Sequence, residues 1–306
     1  MITKLSQLLE QQTGKAKPRV AVAAAHDSHV LSAVNAAIGR GLADFTLLGD
    51  EERIRAIAKE AGLSLDGIDV IHLTEDALCA ASAVEMVRRG EAQLIMKGLL
   101  DTAVVLKAVL NKDAGLRDSD NLSLVSLFEV PGFDRLLCVT DPGINIQPDV
   151  NAKQRIIENA ATVLHALGNE NPIVACLCAI ERVNPKMQAT LDAAELVERN
   201  RTGRITGCTV AGPFALDNAV SPEAAAHKGI QNSSAGKADI LLVPQIESGN
   251  MLYKALIYMA RAKNAGVLMG AKVPLVMTSR ADSDEAKLYS VALAIRMADY
   301  LQGGGK

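Results

Sequence analysis

The chain has 306 residues, 49% hydrophobic and 22% charged, enough apolar material for a large buried core and too little polar excess for extended disorder. Lys and Arg total 32 against 35 for Asp and Glu, so no global positive field exists to hold nucleic acid or an anionic membrane surface. The opening MITKLSQLLEQQTGK has no long apolar core and every other apolar run stops short of the ~20 residues that span a bilayer, which predicts a cytoplasmic protein with no membrane partner.

RVAVAAA (19–25), ADFTLLG (43–49), DVIHLT (69–74) and QLIMKG (93–98) are β-rich runs, each followed by a helical pattern, and this βαβα punctuation predicts a parallel sheet. The first βα turn, AAAHDSHV, holds no GxGxxG, and no GxxxxGK[ST] occurs anywhere, so hydride transfer and nucleotide hydrolysis lose support. His26 and His29 flank that turn as possible acids or bases, while Asp27 or Ser28 reads as a helix cap. LIMKGLLDTAVVLK then places Lys97 and Gly98 at a strand end, with Thr102 and Lys107 on the following helix. LSLVSLFEV and FDRLLCVTD, joined through PG, read as a pair of adjacent antiparallel strands. Pro142, Gly143 and Pro148 cluster in DPGINIQPD, which predicts a border between two α/β domains there.

Alternation resumes with the strands NPIVACLCAI, GCTVAGPF, ADILLVPQI and VPLVMTSR. Apolar residues recurring at three and four make NPKMQATLDAAELVERN, NMLYKALIYMARAKNAG and DEAKLYSVALAIRMADYLQ the longest predicted helices of this half, and the terminal GGGK reads as a frayed end. The five cysteines, at 79, 138, 176, 178 and 208, lie mostly in apolar runs, which predicts reduced thiols without disulfides. The CxC pair at 176 and 178 has no histidine partners at a zinc-like spacing.

Ligands of parallel sheets collect beyond the carboxyl ends of the strands. In VPLVMTSRADSDEAK a buried strand runs into Thr278, Ser279 and Arg280 just before a helix, so hydroxyls, a guanidinium and a positive helix end meet at one point. Such a point suits phosphate, because Arg grips two oxygens while free amides and the helix dipole favour negative charge. Asp282 or Ser283 reads as the cap of that helix, with Asp284 and Glu285 favoured by its dipole. ILLVPQIESGNMLYK repeats the design with Glu247, Ser248 and Gly249, with Asn250 as the expected N-cap and Lys254 one turn on, facing solvent or cleft. CTVAGPFALDNAVS ends a third strand with Gly212 and Pro213, followed by Asp217, and Gly there permits close approach of backbone to a ligand.

These segments resemble the phosphate acetyltransferase and phosphate butyryltransferase family from about position 19 to 301, since MKGLLDT, TDPGINIQPD, AGPFALDNAVSPEAAAHKG, VPQIESGN with Lys254, and TSRADS occur in order. GPFALDNAVS is more similar to the butyryl branch. The resemblance implies an α/β fold of two three-layer domains of the isocitrate/isopropylmalate dehydrogenase-like type, with the active site in the interdomain cleft and the C-terminal helix returning to the first domain. On that basis residues 1–140 plus 281–306 form the first domain and 141–280 the second. It further implies a homodimeric acyltransferase that moves a short-chain acyl group, butyryl or acetyl, reversibly between coenzyme A and inorganic phosphate through a ternary complex. Acyl-CoA and phosphate are then the partners, coenzyme A is a substrate, and no metal or tightly bound cofactor is expected.

By the same resemblance Ser279 stabilises the reacting carbonyl and Arg280 holds the phosphate. Lys97, Thr102, Lys107, Gly212, Pro213, Asp217, Glu247, Gly249, Asn250, Lys254 and Thr278 are the substrate-binding candidates. The acetyl branch has a carboxylate seven residues after the serine, where this chain has Ala286, so Asp284 or Glu285 is left to supply a base, and Asp284 is taken as the catalytic candidate. A metal-dependent decarboxylating dehydrogenase would share the fold, but beside Asp217 and Glu247 no third acidic ligand stands out. Loss of the base at Ala286 would leave a non-catalytic acyl-CoA or phosphate-binding protein as the other alternative.

Overall fold

The computed structural model describes residues 1–10, 17–118, 121–278 and 282–303. In chain order the first half contains β1 (Arg19–Ala23), α1 (Ser28–Gly39), β2 (Asp44–Gly49), α2 (Glu51–Glu60), β3 (Asp69–His72), α3 (Asp76–Arg88), β4 (Leu94–Lys97) and α4 (Thr102–Val109). There follow β5 (Ser123–Glu129), β6 (Leu137–Thr140), α5 (Val150–Ala166), β7 (Ile173–Leu177), α6 (Gln188–Arg201), β8 (Thr209–Phe214), α7 (Leu216–Val220) and α8 (Pro222–His227). The last are β9 (Ile240–Leu242), α9 (Ile246–Lys254), β10 (Lys263–Met269), β11 (Leu275–Val276) and α10 (Asp284–Gln302). Short polar side chains start the helices by taking an otherwise unpaired amide: Asp27 accepts from Val30 N, Asp50 from Arg53 N, Asp149 from Ala152 N and Ser283 from Ala286 N.

Two compact units divide the chain. Leu5–Asp120 with Ala265–Lys306 form one, here the split unit; Asn121–Asn264 with Met1–Lys4 form the other, the inserted unit. Within the split unit the strands lie in the order β3-β2-β1-β4-β11-β10, parallel except for the β10–β11 pair. The β1 and β4 strands are buried almost throughout, as central parallel strands covered on both faces must be. Helix α10 packs on β4 and β11 and against α1, so the expected return of the last helix to the first strands is present. Within the inserted unit the order is β5-β6-β9-β7-β8, with β5–β6 antiparallel, as the PG connection predicted, and the rest parallel. Its core joins Phe128, Val139, Phe214, Leu241 and Val243.

Three expectations change. The unit borders fall at 120/121 and 264/265 rather than at 140/141 and 280/281. Strand β6 pairs with both β5 and β9, which carries the antiparallel pair into the inserted unit, while β11 pairs with β4 and takes β10 with it into the split unit. The long helix expected over NMLYKALIYMARAKNAG ends early: α9 stops at Lys254, a π-helical turn covers Ala255–Met259, Arg261 adopts a left-handed φ of 54°, and Lys263 begins β10. Helical spacing and good helix formers are local preferences, and they do not carry the helix past Met259. Finally, Gln245 is the N-cap of α9, so Asn250 lies inside the helix and caps nothing.

Candidate functional site

In the split unit the carboxyl ends of β1, β4 and β11 meet the first turns of α1 and α10. Lys97 closes β4 with 6% exposure, and its Nζ donates to the carbonyls of Gly98 at 3.2 Å and Leu100 at 3.0 Å. Gly98 is required there, since a Cβ would stand 2.1 Å from the Ala24 carbonyl oxygen at the end of β1. Thr278, buried just after β11, shares with Lys97, Asp27 and Lys287 a cavity of about 10 Å³, room for a single water. Lys287 sits one turn into α10 yet is only 2% exposed, its Nζ donating to the Asp282 carbonyl at 2.6 Å. Two ammonium groups, each held by backbone carbonyls, thus line one cavity with Thr278, while Ser279 and Arg280, next in the chain, lie outside the described residues.

Asp284 opens α10 but lies outside this cavity, with its two oxygens engaged by α1: Oδ1 lies 2.8 Å from His29 Nδ1, and Oδ2 accepts from Ser32 Oγ at 2.7 Å. Burial pushes this carboxyl up, but the Ser32 and His29 hydrogen bonds and the nearby His29 and Lys287 charges outweigh it and hold its pKa below the usual value. Glu285 accepts from Tyr289 Oη at 2.9 Å, and Ala286 is buried. Thr102 is the first residue of α4 and half-buried, Lys107 is exposed in its last turn, and neither lines the cavity. The two neighbouring histidines differ: His29 meets Asp284, whereas His26 is buried with Nδ1 unpartnered, and desolvation, then the Arg53 charge, lower its pKa.

In the inserted unit Gly212 and Pro213 line a cavity of about 350 Å³ together with Glu181, Arg182 and Lys228. Lys228, which the sequence reading passed over inside SPEAAAHKG, joins the loop after β7 to α7 by reaching Glu181 Oε1 at 2.9 Å and Asp217 Oδ2 at 3.0 Å. Its hydrogen bonds hold both carboxyls below their ordinary values, and Glu181 raises Lys228 in return. Asn218, fully buried, donates to Glu181 as well. Asp217 is thereby an ion-pair partner, and among the described residues no group of three or more His, Cys, Asp or Glu side chains converges to hold a metal ion.

The motif TDPGIN forms the loop after β6. Asp141, 3% exposed, gathers the loop around its carboxylate, accepting from the amides of Gly143, Ile144 and Asn145 and from Asn145 Nδ2. Burial raises its pKa despite these donors. Helix α9 leans on the same loop through Gly249, where a Cβ would come within 2.8 Å of Pro142 Cα and of Val243 Cγ2, and through Asn250 Nδ2, 3.4 Å from the Pro142 carbonyl. Glu247 and Lys254 are exposed on α9. The described cysteines are all free thiols, and burial pushes Cys178 and Cys208 up to about 11, the opposite of activation.

A family model described as phosphate acetyl/butaryl transferase matches residues 4–81 and 72–295. The chain is 46% identical over 298 residues to the phosphate butyryltransferase of Clostridium acetobutylicum, covering 97% of this chain and 99% of that protein. It is also 46% identical over 290 residues to the phosphate acetyltransferase of Thermotoga maritima, covering 95% and 98%. Among solved structures, a branched-chain phosphotransacylase from Enterococcus faecalis V583 superposes with a TM-score of 0.80 at 34% identity, covering 92% of this chain and 99% of that one. The fold class is the isocitrate dehydrogenase-like α/β type expected from the sequence.

Proposed function

The chain belongs to the phosphate acetyl/butyryltransferase family, and on that premise we propose that it exchanges a short-chain acyl group, butyryl or acetyl, between coenzyme A and inorganic phosphate. The observation that carries this reading is the pair of buried, backbone-anchored lysines, Lys97 and Lys287, which line one cavity with Thr278, the residue before Ser279 in the chain. A phosphate oxygen attacks the thioester carbonyl in a ternary complex, a carbon–oxygen bond forms, the carbon–sulfur bond breaks, and coenzyme A leaves as a thiolate. Phosphate is already an oxyanion and the thiolate a good leaving group, so placement and charge stabilisation carry the reaction without a covalent enzyme intermediate.

In this proposal Arg280 holds the phosphate and Ser279 stabilises the tetrahedral oxyanion, a contribution typically worth about 3 kcal/mol. Lys97 and Thr278 support the same end of the substrate. Gly212, Pro213 and Asp217, with Glu247, Gly249, Asn250 and Lys254 on α9, and Thr102 and Lys107 on α4, complete the substrate-binding set. Asp284 supplies a weak base for the reverse direction, in which the thiol loses its proton. Coenzyme A is a substrate, no resident cofactor is required, and the enzyme works in the cytoplasm as a homodimer. The test is thiol release from acetyl-CoA and butyryl-CoA by purified protein with and without phosphate. Release that requires phosphate and survives a chelator is expected; phosphate-independent release would point to a thioesterase.

A further inference from the structure

A cavity of about 390 Å³ opens in the inserted unit, among residues the sequence reading did not single out as a site. It lies beyond the carboxyl ends of β6 and β9, over the first turns of α5 and α6. This is where the chain order of the sheet reverses: β6 leads past a vacant position to β7, and that position is filled only when the chain returns from β8 as β9. Crevices of this kind are the usual ligand position of an open α/β sheet, and the volume falls within the range of small-molecule sites.

The lining specifies a chemistry. Its floor is a buried ion pair, Lys153 Nζ to Asp192 Oδ2 at 2.5 Å with side chains 6% and 11% exposed, and Gln188 Nε2 donates to the other Asp192 oxygen at 2.8 Å. Asp192 already neutralises the one lysine, and Asp149 adds a second carboxylate, so the cavity offers no cationic surplus to a phosphate. The rim is amide instead, from Gln147, Gln188 and Gln245, each able to donate and accept. Pro148, Val150, Ala189 and Pro244 supply apolar wall between them.

We propose that this cavity receives the uncharged, heteroatom-bearing part of coenzyme A, the pantetheine amides or the adenine ring, and leaves its phosphates outside. This assignment rests on the acyltransferase reading.

Ala189→Trp fills the cavity from its half-buried wall, and Gln147→Leu with Gln245→Leu strips the exposed rim while sparing the floor. Calorimetric titration with coenzyme A, pantetheine and adenosine is run beside initial-rate kinetics. The Kd for coenzyme A and the KM for acyl-CoA should rise about tenfold or more in Ala189→Trp and about threefold in the double variant, with the KM for phosphate within about twofold of wild type. The fragment whose affinity falls in Ala189→Trp names the part of coenzyme A that is bound. Unchanged coenzyme A affinity in the double variant, and in a folded Ala189→Trp, overturns the site. If wild-type protein shows no phosphate-dependent thiol release, the acyltransferase reading fails instead, while the titrations still report on the cavity.

Discussion

A lysine one turn into a helix ordinarily points to solvent, whereas the fold turns the Lys287 ammonium inward onto the Asp282 carbonyl. Lys228 escaped notice because its two carboxylate partners, Glu181 after β7 and Asp217 on α7, are brought to it only by the fold. Arg280 is read from the sequence alone, as a guanidinium between a buried strand and a helix start, and it lies outside the described residues. Arg280→Lys keeps the charge but loses the two-pronged grip, so it should raise the KM for phosphate by about tenfold and leave that for acyl-CoA nearly unchanged, as steady-state kinetics would show. Asp284 is a different case. Its depressed pKa makes it a weak base, so Asp284→Asn should slow acyl phosphate plus coenzyme A by about tenfold at most, below the range of a well-tuned general base, and raising the pH should restore the rate as free thiolate accumulates. The same variant should lose less than about 1 kcal/mol of stability, because the His29 pair is half exposed. Since the folded-state pKa is lowered, that loss is present in full above the ordinary carboxylate range and vanishes as pH falls through the lowered value, which denaturation across a pH series checks.

At the scale of elements, patterning located most strands and the caps Asp27 and Ser283, because alternation and cap chemistry are local. It failed where the deciding contact was distant. The end of the helix-like run, from Lys263, is strand, and Asn250 lost its expected cap role because α9 begins at Ile246. The close fit of α9 on the β6–α5 loop was also invisible beforehand, yet it yields a sharp expectation. Gly249→Ala would press a methyl against the backbone of Asp141 and Pro142, neither of which is the free end of a flexible side chain. Overpacking of this kind costs about 1–3 kcal/mol, so the midpoint of denaturant unfolding should fall, and turnover with it if the loop and α9 share a substrate.

For the whole molecule, two α/β units could be foreseen from the rhythm of strands and helices, but their border could not, because a strand's allegiance is set by its sheet neighbours and not by the prolines near it. Deleting α10 tests how far the split unit depends on its second segment. Loss of the helix strips the cover from β4 and β11 and exposes α1, so the truncated chain should aggregate or show a much lower melting temperature, whereas retention of native melting would mean that α10 is dispensable.

The same interleaving sets an order of events during synthesis. A ribosome moving at about 5–20 residues per second delivers residues 5–120 first, yet β11, β10 and α10 exist only after Asn264 has been made. For several seconds the early segment offers β4 with an open edge, and the inserted unit, whose main segment is contiguous, is free to close before its predecessor. The protein therefore completes its oldest part last, and its most aggregation-prone moment falls while the strand bearing Lys97 waits for its neighbour.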